Sequence, residues 1–192
     1  MTESRISLLM DGSGSMIPNI PVTVDAINEY LNTVRALKET IIKIVVWDDA
    51  RRDIIYLGEA IDAPVITRDK YICNGMTPLL DVFGEELVLM NGMHKDIKKV
   101  VVLMTDGLEN ASFRYTTKQL LDLVRTFENK GGKVIFLGAN LDDFTTKSLS
   151  TSLGVSVENA TSYDVSESRS VYYAKSVETM SFLDNNKEVG DQ

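Results

Sequence analysis

RISLLMDGSGSM, residues 5–16, runs a short apolar stretch straight into a polar turn punctuated by glycine. Arg5 to Met10 reads as a strand, and its nearly unbroken apolar character suits a strand covered on both faces. Asp11-Gly12-Ser13-Gly14-Ser15 then stops it. Every residue in that turn is a legitimate turn former, so on its own it is only a way to end a strand.

The same arrangement recurs along the chain. After Pro21 the positions Val24, Ile27, Leu31 and Val34 fall on one helical face. Ile41 to Trp47 (IIKIVVW) and Asp53 to Leu57 (DIIYL) are strand-like, and the short DDARR between them predicts a hairpin. The third strand is therefore expected to be antiparallel and at an edge. A helix is expected from Leu79 to about Met90, with Pro78 in its first turn, followed by the apolar run Val100 to Thr105. Thr116 and Gln119 have capping-box spacing ahead of a helix bearing Leu120, Val124 and Phe127, which Gly131-Gly132 ends. A strand VIFLG from Val134, a weaker helix ending near Leu153, a short strand Asn159 to Tyr163 and a helix Ser168 to Met180 complete the series.

Strand and helix in alternation imply crossover connections. The expected fold is α/β: a doubly wound, Rossmann-like, mostly parallel sheet with one antiparallel edge strand and helices on both faces. One domain is expected over residues 1–183, with residues 184–192 (DNNKEVGDQ) as a flexible tail.

In such sheets ligands bind beyond the carboxyl ends of the strands. Three loops fall there: Asp11 to Ser15, Asn74 to Leu79, and Asp106 to Asn110. They carry two carboxylates, Asp11 and Asp106, and three hydroxyls, Ser13, Ser15 and Thr77. An all-oxygen set suits a hard cation, Mg²⁺ or alternatively Mn²⁺ or Ca²⁺, and not zinc. Alternate side chains at 11, 13 and 15 can be aimed at one point by a tight turn, which Gly12 and Gly14 make sterically easy. Each piece also has a purely structural reading, with Thr77 as a helix N-cap and Asp-Gly as a turn.

DGSGSM after one buried strand, GMTPL before a helix and TDGLEN after a second buried strand resemble the von Willebrand factor A (vWA) domain. Their order matches that family's metal-ion-dependent adhesion site (MIDAS), and the likeness runs from about Ser4 to the last helix. The resemblance implies metal ligation by the hydroxyls of Ser13, Ser15 and Thr77, and by Asp11 and Asp106 directly or through water. It leaves one coordination position for water or for an acidic residue of a partner protein. The implied function is a divalent-cation-dependent protein-binding module, not an enzyme, of a stand-alone bacterial or phage-like type. The alternatives are a Mg²⁺-dependent hydrolase or phosphoryl-transfer enzyme using the same carboxylates, or a vWA scaffold whose metal has no functional role.

Bulk properties narrow the partners. Twenty basic against 28 acidic residues give a net charge of −8, which argues against a nucleic-acid backbone as ligand. Lys98-Lys99 and Arg51-Arg52 read as solvated surface. The single Cys73 allows no internal disulfide and fits a cytoplasmic protein, and no apolar run approaches membrane-spanning length. The lone His94 reads as an exposed loop residue, Trp47 as core, and Asp48 and Asp49 as hairpin residues. Met16 and Met76 are candidates to flank the metal. The acidic residues of the tail, Asp184, Glu188 and Asp191, are candidates to occupy its open position.

Overall fold

The computed structural model describes residues 3–184. Its strands are β1 Ser4–Asp11, β2 Thr40–Trp47, β3 Arg52–Glu59, β4 Lys98–Thr105, β5 Gly132–Ala139 and β6 Ala160–Tyr163. Its helices are α1 Ile20–Val34, α2 Leu79–Asn91, α3 Thr117–Asn129, α4 Asp143–Ser152 and α5 Ser168–Asp184. The strands form one sheet in the order β3-β2-β1-β4-β5-β6. All neighbours are parallel except β2 and β3, which form the antiparallel hairpin that the short connection requires. The chain winds outward from β1 to β3, then returns to the other side of β1 with β4. That reversal puts the topological switch point between β1 and β4.

The sheet has a core on each face because successive strand side chains alternate. Ile6, Leu8 and Met10 of β1 join Ile42, Ile44, Val100 and Val102 against α1 and α5. Leu9, Val45, Trp47, Val101 and Leu103 pack instead on Val82, Phe83 and Leu87 of α2 and Leu120, Val124 and Phe127 of α3. The capping box forms as spaced: Thr116 accepts from the Gln119 amide, and the Gln119 side chain accepts from the Thr116 amide. Gly131 ends the turn after α3 at φ +75°, a conformation that side chains resist.

Several local expectations need correction. Pro78 stands just before α2 and serves as its N-cap position, one residue earlier than expected. Lys99 is not solvated surface; it is buried in β4, with its ammonium directed to the His94 carbonyl. Met16 does not flank the rim, because it is wholly buried in the α1/α5 core. The last helix continues to Asp184 because Leu183 is buried in that core and Phe182 packs against it beneath the Lys133 ammonium. Asp184 is thus helical, and the rest of the expected tail lies outside the described residues.

One buried ion pair anchors α2 to the sheet: Lys43 Nζ of β2 donates to Glu86 Oε2, and both side chains are largely buried. Removing one partner strands the other charge in the interior. Lys43→Met is expected to cost roughly 3 kcal/mol in urea denaturation, and adding Glu86→Leu should recover most of it.

Candidate metal centre

β1 and β4 lie side by side, with Met10 in register with Met104, so Asp11 and Thr105 emerge together at their carboxyl ends. Asp11 is fully buried. Its Oδ1 accepts from the Ser13 amide at 2.7 Å, and its Oδ2 accepts from the Thr105 hydroxyl. Tyr71 donates its phenol to the Asp11 carbonyl, and Gly12 donates its amide to the Trp47 carbonyl at 2.7 Å. Gly12 is required here: a Cβ at that position would sit 2.8 Å from Val46 Cγ1 and 3.1 Å from two backbone oxygens.

From Asp11 the turn carries Ser13 and Ser15 toward the β4 loop. Ser15 Oγ donates to Asp106 Oδ1 at 2.6 Å, which leaves Ser13 Oγ to donate to Ser15 Oγ at 3.0 Å. Four of the five expected residues therefore form one hydrogen-bonded chain, Asp11–Ser13–Ser15–Asp106. Thr77 stands beside it without a hydrogen bond to it. Its Oγ1 lies 3.3 Å from where a Cβ on Gly107 would be, one residue past Asp106. Thr77 is buried, and it is not an N-cap of α2, whose N-cap makes no side-chain bond.

What holds Thr77 is a set of residues that the motif reading passed over. Asn110 grips it at two points: its Oδ1 accepts from the Thr77 amide at 2.8 Å, and its own amide donates to the Thr77 carbonyl at 3.2 Å. Glu109 accepts from the amides of Leu80, Ala111 and Ser112 and from the Ser112 hydroxyl, tying the loop to the first turn of α2. Asp81 accepts from three consecutive amides, Phe113, Arg114 and Tyr115, and these hold its carboxyl below the usual range despite burial. Asp49 reaches out of the hairpin to accept from the Met76 amide at 2.7 Å, and the neighbouring Gly75 adopts φ +68°. Only Asp48 serves the hairpin as expected, accepting from the Ala50 and Arg51 amides and pairing with the Arg51 guanidinium. The signals for Glu109 and Asn110 were present in TDGLEN; Asp49 had none.

No Lys or Arg pairs with Asp11 or Asp106 among the described residues. Burial pushes the Asp11 carboxyl up to about 6 against the opposing pull of Thr105 and Ser13, and proximity to Asp106 adds to the rise. Burial also raises Asp106, with the Ser15 hydroxyl opposing. Among the described residues no three His, Cys, Asp or Glu side chains converge, so a cation at this rim would depend on hydroxyl ligands. A buried carboxylate, Asp11, and a half-buried one, Asp106, without a cationic partner and next to three hydroxyls have the donor chemistry that a hard cation needs.

No protein-family model matches the chain, and no curated protein does either. Solved structures do. The pilus adhesin SpaC from Lactobacillus rhamnosus GG, in its open conformation, aligns with TM-score 0.72 at 14% identity over 93% of this chain and 30% of that one. The chain thus spans under a third of that adhesin's length. The vWF domain of the type V pili tip protein Mfa5 from Porphyromonas gingivalis aligns with TM-score 0.69 at 10% identity, over 100% of this chain and 97% of that one. The SpRpn10 VWA domain aligns with TM-score 0.55 at 14% identity, over 85% of this chain and 89% of that one. At such identities the likeness is one of fold, and the fold is that of vWA domains.

The buried Asp11 gives a pH dependence in chelator-treated protein. Its folded-state pKa lies above the ordinary 3.8, at about 6. The folded state therefore holds this proton more tightly. The stability that this proton lends is complete below about pH 4 and lost as pH rises through 6. Asp11→Asn, which has no charge to bury, should match wild type in acid and exceed it at pH 7 by on the order of 3 kcal/mol. Urea midpoints measured across pH 4–8 check this.

Proposed function

We propose that this vWA-fold chain is a protein-binding module whose rim takes a divalent cation, and that the cation recognises an acidic side chain of a partner protein. The observation that carries the reading is the Asp11–Ser13–Ser15–Asp106 chain at the switch point, with Thr77 next to Asp106 and, among the described residues, no basic side chain paired with either carboxylate. Ser13, Ser15, Thr77, Asp11 and Asp106 would hold the ion. Mg²⁺ is the first candidate because the set is small, oxygen-only and rich in neutral ligands, with Mn²⁺ and Ca²⁺ as alternates. When bound, the ion supplies positive charge that three neutral hydroxyls leave largely uncompensated, so a carboxylate from outside is favoured.

This chain's own residues do the positioning. Asp11 is fixed by Thr105 and Ser13; Thr77 is fixed by Asn110; the loop bearing Asp106 is tied to α2 through Glu109. Rigid first contacts lower the ordering cost of binding. The charge of −8 makes a cation more needed, since an acidic protein otherwise repels an acidic partner. We read the rim as a binding site and not a hydrolytic one. His94, the only histidine, sits between α2 and the start of β4, at the opposite end of the sheet. Of the tail carboxylates only Asp184 is among the described residues. It closes α5 two residues after Phe182, which packs under Lys133 at the amino end of β5, away from the rim. Glu188 and Asp191 lie outside the described residues.

The test is an affinity capture from lysate of the native host, run in parallel with Mg²⁺ and with chelator. A partner retained only with Mg²⁺, and lost with Thr77→Ala or Asp106→Ala of unchanged circular dichroism, is the expected result. Mg²⁺ should also raise the melting temperature of wild type and leave that of Asp11→Asn unmoved. Capture indifferent to chelator sinks the reading.

A further inference from the structure

β3 is an edge strand, and among the described residues its backbone is bonded to no strand but β2. Such an edge is a template for another strand. Its pairing with β2 contains a bulge: Val45 opposes Ile54 while Ile44 opposes Tyr56, so Ile55 has no opposite residue. Arg52, Ile54, Leu57 and Glu59 oppose Trp47, Val45, Lys43 and Ile41, alternate residues of β2. Opposed residues share a face, so all four project to the face that carries α2. Without the bulge, positions 54 and 57 would point to opposite faces.

That face leaves apolar side chains in water. Ile54 is 56% exposed and Leu57 60%. Leu57 also borders an open groove of about 460 Å³ shared with Leu89, Met90 and Met93. Apolar exposure along an edge strand needs a covering partner or a reason to be tolerated.

The sequence of the edge specifies which partner. Read against itself antiparallel, RDIIYLGE places Arg52 opposite Glu59, Ile54 opposite Leu57, and Asp53 opposite Gly58. The two-fold axis passes between Ile55 and Tyr56, perpendicular to the sheet. Such an axis preserves faces, so opposed residues must project the same way, and only the bulged strand allows that for 52 with 59 and 54 with 57. The charges are complementary at both ends. Glu59 makes no ion pair within its own chain among the described residues. Arg52 is held at the edge by its own chain, with Nη1 donating to the Asp48 and Arg51 carbonyls. Its Nε lies 3.7 Å from Glu85 Oε2, a pair too long for a hydrogen bond, so its guanidinium would be shared between Glu85 and the second copy's Glu59.

We infer that β3 pairs with β3 of a second copy of this chain, joining two six-stranded sheets through an Arg52–Glu59 and Ile54–Leu57 self-complementary register. Ladder hydrogen bonds supply attachment, and the two apolar pairs cover Ile54 and Leu57. The axis turns the two copies' parallel strands in opposite directions. The two candidate metal rims then lie at opposite ends of the joined sheet, each free.

The test is the mass of the full chain by sedimentation equilibrium from micromolar to sub-millimolar concentration, with and without chelator. Wild type is expected to reach twice the chain mass in both conditions. Leu57→Lys should weaken association by at least about tenfold, with an unchanged melting curve. Glu59→Arg should do the same by placing like charges opposite each other, and Arg52→Glu added to it should restore the dimer. Ile54→Lys serves as a second apolar variant if Leu57→Lys lowers the melting point. A monomer at every concentration overturns the proposal. So does a dimer that chelator dissolves, or one indifferent to Leu57→Lys, Ile54→Lys and both charge reversals.

Discussion

Asp11 is the constraint around which this molecule is arranged. It ends β1, the strand from which the chain winds both ways, and its carboxylate is fully buried. A buried carboxylate with no cationic partner is unfavourable, and the two hydrogen bonds from Ser13 and Thr105 offset only part of that cost. The rise of its pKa to about 6 expresses what is left over. Both donors exist because of the fold. Thr105 is present because β4 lies parallel to β1 in the right register, and the Ser13 amide because Gly12 lets the chain pass between Val46 and two backbone oxygens. Moving either strand by one residue would remove a donor and flip every side chain of that strand to the other face.

The other loops are held by acidic residues that do not belong to the rim set. Glu109, Asp81, Asp49 and the amide side chain of Asn110 are spent on backbone N–H groups of neighbouring segments. Those N–H groups belong to the first turn of α2 and to irregular loops, where no helix or ladder partner exists. So the abundant negative charge of the chain has two uses at this end of the sheet. Part of it satisfies loop amides, and part, Asp11 and Asp106, has no donor strong enough to neutralise it.

The fold was legible because its signals are local and redundant. Unbroken apolar runs gave the strands, the two-turn periodicity of Val24, Ile27, Leu31 and Val34 gave α1, and DDARR was too short for anything but a hairpin. The five rim residues were legible as a pattern of three loops. What could not be read were contacts between residues distant in sequence. Asp49 lies in a hairpin and bonds to residue 76; Met16 follows a polar turn and yet is buried; Lys99 looks like surface and is covered. Leu183 extends α5 only because a core from other elements receives it. In each case the deciding partner lies elsewhere in the sequence, and no local period reports it.

The rim and the β3 edge divide the molecule's surfaces by chemistry. At the carboxyl ends of β1 and β4 the groups are oxygen donors, rigidly held and short of positive charge, which is the chemistry that the proposed cation would complete. Along β3 they are backbone donors and acceptors flanked by Ile54 and Leu57, which suits an extended contact with modest chemical demands. The bulge at Ile55 bears on the second without touching the first, because it lies mid-strand, between the rim end at Arg52 and the far end at Glu59. On the proposed function, a pair of copies joined there would present two outward rims to two partner segments. Engagement of one would then raise the effective concentration of the other, so that a weak rim contact gains avidity from the edge.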